Sequence, residues 1–179
     1  MNVQAVTVFC GSKPGNDMAY MELAKEMGEL LARVNITLVY GGGNKGIMGA
    51  IANACLGAGG KVTGIIPKLL IAWEAQHEGL TELIVTATMH ERKLLLYEKC
   101  DLAIVLPGGM GTLDELFEML TWNNLKIHNK KVYILNINGY YDALFDLLKN
   151  MDKQGFMYES WQTRLIECKS FIAFKDALT

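Results

Sequence analysis

The 179-residue chain predicts a doubly wound α/β fold, and three observations carry that expectation. Apolar runs of strand length alternate with helix-patterned segments almost without interruption. Several of these runs, Ile104-Val105-Leu106 among them, are continuously apolar, as in parallel strands covered by helices on both faces. Glycine-bearing turns follow the first, second and fifth runs, where an open parallel sheet would bind a ligand at the carboxyl ends of its strands.

Residues 4–9 read as the first strand. Residues 3–10 have neither a basic region nor a cleavage-site pattern, so no targeting signal is expected there. The turn Cys10-Gly11-Ser12 leads to a helix over 17–33, then a strand over 36–40. Gly41-Gly42-Gly43-Asn44-Lys45-Gly46 connects that strand to a helix over 46–58, and a strand over 61–66 follows. The longest irregular stretch, 67–81, is open to three readings: a lid, a short helix or a partner contact. A strand over 82–86 precedes a helix over 89–99, whose start is marked by the capping-box spacing Thr88-x-x-Glu91. The strand over 102–106 leads to a helix over 112–125, where Thr112-x-x-Glu115 repeats that spacing. Then come a strand over 132–136, a helix over 140–154, a weaker seventh strand over 164–168 and a terminal helix over 171–178. With no linker, repeat or low-complexity segment, residues 1–179 read as one domain.

Composition narrows the function. Hydrophobic residues make up 51% of the chain, enough for a substantial core. A net charge of −2 with interspersed signs is no electrostatic footprint for nucleic acid or a membrane surface. No apolar run is long enough to span a bilayer. Cys10, Cys55, Cys100 and Cys168 are too scattered for a zinc knuckle or redox pair and read as buried thiols in a reducing, cytoplasmic setting. His77, His90 and His128 have no ligand spacing, so neither metal nor cofactor is expected. Most of the ten methionines read as core or interface filler; Trp73 and Trp122 could stack on a base, although packing is the commoner use.

The most informative stretch is Pro107-Gly108-Gly109-Met110-Gly111-Thr112-Leu113-Asp114-Glu115. A glycine-rich turn between strand and helix lets backbone N–H groups approach an anion, and the helix N-terminus adds a favourable field. An acid one turn further on suggests chemistry on a phosphorylated small molecule. Glu115 has a purely structural reading too, bonding back to Thr112 as a cap, although a cap does not explain the glycines. Arg92 and Lys93 fall in the first turns of their helix, opposing its dipole. They either point into solvent or face a bound anion, which the planar fork of arginine suits. Residues 41–46 formally satisfy G-x-G-x-x-G. The next strand ends Ile65-Ile66-Pro67 without the acid a dinucleotide ribose needs, and no Walker Gly-Lys-Ser/Thr follows. That turn is either a tight strand-to-helix connection or a close approach to a mononucleotide or sugar.

Met89-His90-Glu91-Arg92-Lys93, followed fourteen residues later by the 107–115 motif, resembles the Lonely Guy (LOG) family, whose hallmark is P-G-G-x-G-T-x-x-E. Gly11-Ser12, the 41–49 turn, Glu74-x-x-His77, Trp122 and Asn138-Gly139-Tyr140-Tyr141 fit the same layout, so the resemblance runs to about Phe156. It implies a Rossmann-like sheet with helices on both faces, usually in a homodimer. The implied reaction is hydrolysis of the N-glycosidic bond of a nucleoside 5′-monophosphate. Products would be adenine, or an N6-substituted adenine (a cytokinin), and ribose 5-phosphate. Arg92 and Glu115 resemble the catalytic pair. Lys93, Gly109, Gly111, Thr112 and the positions between resemble phosphoribosyl contacts; Glu74 and Thr121 match further substrate positions. Ser12, Gly42, Gly43, Gly108 and Met110 complete the expected substrate-binding set. Asp114 stands where many relatives have Glu, and Met110 where an aromatic is common. Many relatives carry the label "lysine decarboxylase", which this sequence does not support: no pyridoxal-phosphate lysine context is recognisable. A nucleotide-binding module without catalysis is the alternative, since fold alone does not separate the two. A metal-dependent phosphotransferase is a third reading, weakened by the missing Walker sequence.

Overall fold

The structure, a computed structural model, describes residues 3–74 and 76–178, without the side chains of 72–74 and 176–178. Seven parallel strands form one sheet in the order β4-β3-β2-β1-β5-β6-β7. They are β1 (Ala5–Phe9), β2 (Thr37–Tyr40), β3 (Val62–Pro67), β4 (Glu82–Thr86), β5 (Leu102–Val105), β6 (Val132–Leu135) and β7 (Leu165–Cys168). Between them run α1 (Met18–Arg33), α2 (Gly46–Gly57), α3 (Lys68–Glu74), α4 (Met89–Glu98), α5 (Met110–Asn124) and α6 (Asp142–Lys153), and α7 (Phe171–Leu178) ends the chain. The weaker seventh strand is therefore present, and the 67–81 stretch holds a short helix.

The continuous apolar runs have the predicted cause. Every residue of β3, β5 and β6 is buried. Alternate strand residues feed two cores, because successive side chains of a strand point to opposite faces. Val6, Val8, Leu38, Ile104 and Leu135 pack with α1, α2 and α7; Phe9, Val39, Ala103, Val105 and Ile134 pack with α4, α5 and α6. Trp122 belongs to the second core, meeting Tyr97 edge-on with centroids 5.1 Å apart. The four cysteines are buried and none is in a disulfide, and burial pushes the Cys55, Cys100 and Cys168 thiols up to about 11.

Chain order reverses at β1, which pairs with β2 on one side and β5 on the other. That switch point is where the turns after β1 and β5 part to leave a crevice. The β1–β5 seam is stapled at its other end by Asp101, whose Oδ2 accepts from the backbone N–H of Gln4 at 2.7 Å and of Ala5 at 3.0 Å. The bonds from Ala5 and Gln4 hold this carboxyl below its ordinary value of 3.8, against a smaller opposing effect of burial. A folded-state pKa below the unfolded one stabilises the fold above the unfolded value. The benefit disappears as pH falls through the folded value. Asp101→Asn should therefore cost about 1 kcal/mol near neutrality, a modest figure because the group is largely solvated. The gap from wild type, measured by urea melts, should narrow as pH falls below the ordinary value of 3.8 and through the lowered folded one; a gap that does not narrow on acidification would contradict this account.

Candidate functional site

The turns after β1, β2 and β5 converge, as their positions in the sequence imply. Gly11 N–H donates to Pro107 O at 3.1 Å, and Met48 N–H donates to Gly11 O at 3.2 Å. Gly46 has φ +56°, and a Cβ there would lie 2.5 Å from the backbone of Ser12 and Lys13, so only glycine lets α2 start against the first turn. Gly108 is as constrained, since a Cβ would collide with Thr112 Oγ1 and sit 2.8 Å from Gly11 N. Together the turns enclose a cleft of about 420 Å³ over the switch point.

Two helices open onto this cleft without side-chain caps. Lys45 precedes α2 and Gly109 precedes α5, and neither side chain bonds a helical N–H. The first N–H groups of a helix have no intrahelical partners. The cleft wall along 108–112 therefore presents backbone donors at the positive end of α5, a setting for a phosphate. This arrangement corrects the expected helix start. The helix begins at Met110, so Thr112 is its third residue rather than its cap, and the 112–115 capping box does not form. The glycine turn is short enough that the backbone reaches helical geometry two residues early. The box at 88–91 does form: Thr88 Oγ1 accepts from Glu91 N–H at 3.1 Å, and Glu91 reaches back to Ala87 N–H at 2.8 Å.

Freed from capping, Glu115 turns toward α4. Its Oε1 lies 3.6 Å from Arg92 Nη2, with the residues only 9% and 6% exposed. Arg92 thus does not point into solvent. Glycine at position 41 makes room for it, since a Cβ there would strike its guanidinium. Arg92 Nε is buried with no hydrogen-bond partner among the described residues. A buried cation-acid pair at 3.6 Å is an ion pair without a hydrogen bond between those atoms. Both residues line the cleft beside Lys13 and Asp114.

Ser12, Gly108, Gly109, Met110, Gly111 and Thr112 also line the cleft, and Met110 is 90% exposed at its mouth. Gly42 and Gly43 are not among the residues that line it. Gly42 packs on Ile65 and Ile66, its carbonyl accepts from His77 N–H at 3.0 Å, and Gly43 O accepts from Tyr40 Oη. Lys93 is drawn away from the cleft wall by Glu118 at 2.9 Å and Asp114 at 3.2 Å. Burial lowers the pKa of its ammonium, but the bonds and fields of Glu118 and Asp114 outweigh that and leave it raised. Thr121 sits about three turns along α5, where Oγ1 donates to Phe117 O at 2.7 Å outside the cleft. The side chain of Glu74, and that of Trp73, lie outside the described residues.

Sequence patterns did not assign Lys13, Tyr20, Ile47, Met48, Met89 or Tyr140 to the site, and all six line the cleft. Most of these types signal packing as readily as binding. Only the Asn138-Gly139 pair, both with positive φ, marks in sequence a turn that presents Tyr140. Among the described residues no group of three or more His, Cys, Asp or Glu gathers as metal ligands, and no helix is long and apolar enough to cross a membrane.

Comparison with known proteins gives three findings. The family described as "Possible lysine decarboxylase" matches residues 48–174. Two cytokinin riboside 5′-monophosphate phosphoribohydrolases are close in sequence. The one from Rhodococcoides fascians is 47% identical over 167 residues, 93% of this chain and 84% of that protein. The one from Arabidopsis thaliana is 44% identical over 152 residues, 85% of this chain and 71% of that protein. A molybdenum cofactor binding protein from Rippkaea orientalis has the same fold, with a TM-score of 0.74, 22% identity, and coverage of 99% of this chain and 96% of that one.

Proposed function

The chain belongs to the Lonely Guy family, and on that premise we propose that it hydrolyses the N-glycosidic bond of adenosine 5′-monophosphate or its N6-substituted forms. The products are adenine or a cytokinin base and ribose 5-phosphate. The observation that carries this reading is the Arg92–Glu115 pair, buried in the cleft directly beyond the uncapped start of α5. A protein that only holds a nucleotide has no need of an acid beside the sugar.

The 5′-phosphate sits on the N–H groups at the start of α5, and this anchoring places C1′ against Glu115. Breaking the C1′–N9 bond sends its electron pair to N9 and leaves oxocarbenium character on the ribose. The Glu115 carboxylate stabilises that charge and orients or deprotonates a water. The water oxygen bonds to C1′ and the base leaves with a proton. Arg92 either donates to the leaving base or holds and orients the substrate, and its side chain lines the cleft where both roles would be played. Decarboxylation of lysine through pyridoxal phosphate has no support in the residues, since the sequence shows no recognisable pyridoxal-phosphate lysine context.

A homodimer in the cytoplasm completes the proposal. Buried thiols outside any disulfide suit a reducing compartment, and Leu94, Met110, Leu125 and Ile127 leave exposed apolar surface on and just after α4 and α5 for a second copy.

Purified protein incubated with AMP, in excess chelator, should release adenine and ribose 5-phosphate, resolved by chromatography. Adenosine should react at least about tenfold more slowly, because it lacks the anchoring phosphate. Equal rates would remove the phosphate cradle from the mechanism. If AMP and N6-substituted AMP both bind and stay intact, the chain is a nucleotide-binding module.

A further inference from the structure

The connection from β6 to α6 holds an assembly that the chemistry above does not use. Asn136, buried at the end of β6, accepts from Tyr141 N–H at 2.7 Å and donates to Asp142 at 2.8 Å and Glu167 at 2.6 Å. Asn138 and Gly139 then take positive φ, and Asn138 Nδ2 donates to Asp17 Oδ2 at 2.7 Å. Asp17 also caps α1 through Ala19 N–H. The connection is thus tied to β7, to α6 and to the start of α1, and it delivers two successive tyrosines to the 106–108 strand end.

Their hydroxyls bind consecutive parts of one loop. Tyr141 Oη donates to Leu106 O at 2.8 Å, and Tyr140 Oη donates to Gly108 O at 2.7 Å. Between them, Pro107 O accepts from Gly11 N–H at 3.1 Å. Three carbonyls in a row are therefore held by the scaffold. A trans peptide sets its N–H opposite its C=O, so holding the Gly108 carbonyl also aims the Gly109 N–H. A peptide between two glycines otherwise rotates with little steric resistance. Tyr140 is itself set by edge-on contacts with Tyr20 and Tyr141, with centroids 5.4 and 4.8 Å away.

We infer that Tyr140 is a positioning residue for the anion cradle, its hydroxyl locking the Gly108–Gly109 peptide so that its N–H meets the 5′-phosphate. This rests on the phosphoribohydrolase reading, but its test also works by binding alone. Tyr140→Phe keeps the ring contacts and removes the hydroxyl. It should weaken ribose 5-phosphate and AMP binding by about tenfold in calorimetry, the weight of one hydrogen bond at a charged ligand. The kcat/KM for AMP should fall by a similar factor, mainly through KM, while that for adenosine stays within twofold. Parallel loss for AMP and adenosine, or unchanged ribose 5-phosphate affinity, would overturn the inference. If wild type binds AMP without hydrolysing it, the proposed reaction fails, and the AMP-to-adenosine binding ratio of the variant still decides the role of Tyr140. If wild type binds neither ribose 5-phosphate nor AMP, the cradle and its lock fall together.

Discussion

Glu115→Gln should leave the protein folded and able to bind AMP, yet lower turnover by about 10²-fold or more. Glutamine is nearly isosteric, so the packing of α5 against α4 changes little. What disappears is the negative charge opposite the developing positive charge on C1′, together with the base that handles the water. Kd for AMP should stay within a few fold, because the proposed binding mode assigns the phosphate to the uncapped start of α5 rather than to this carboxylate. The expected signature is a fall in kcat at near-constant KM, with a folded protein whose melting temperature is lowered because the buried Arg92 loses its counter-charge. Turnover within a few fold of wild type would sink the assignment of Glu115, whatever the fate of the substrate class.

The second large effect is expected at Arg92. Its truncation to alanine should lower kcat/KM for AMP by about 10². The loss has two sources that measurement can separate. One is chemical, since the guanidinium that faces the cleft goes. The other is structural, because Glu115 then stands in a 9% exposed site without its cation, and leaving one member of a buried pair destabilises by about 3 kcal/mol. Arg92→Lys retains the charge and loses the fork, so it should recover most of the melting temperature and only part of the activity. If the alanine variant keeps full activity, Arg92 is a structural counter-ion to Glu115 and no more. If the lysine variant restores both stability and rate, a point charge suffices and the forked geometry is irrelevant.

The order of strands and helices was legible because the continuous apolar runs of β3, β5 and β6 map to strands buried on both faces, and the glycine turns to strands' carboxyl ends. The faint strand at 165–168 carries Glu167 and is only partly buried, so its place is set by pairing with β6 across four residues. Capping chemistry was legible only locally. The same spacing caps α4 at Thr88 but is overridden at Thr112. The three glycines bend the chain into helix two residues sooner, and no pairwise sequence rule registers that. Lys93 illustrates a different limit. It neighbours Arg92 in the motif, yet successive residues of a helix point about 100° apart. The carboxylates of Asp114 and Glu118 sit where Lys93 points.

The amino-acid sequence by itself determined the layered α/β architecture, the glycine turn at 107–112 between strand and helix, and the pairing of that turn with an arginine and an acid in one motif family. These are properties of composition along a single segment or between short signatures, and local backbone preference expresses them directly. Only the tertiary structure decided which charges meet. Arg92 faces Glu115 because α4 and α5 pack on the same side of the sheet; Lys93 pairs with Asp114 and Glu118 of α5; Gly42 and Gly43 are outside the cleft lining. Tyr140 reaches Gly108 across 32 positions of sequence through a left-handed turn anchored to Asp17. Side-chain direction and long-range contact are set by how elements pack, and packing is a property of the whole chain that no short stretch of it contains.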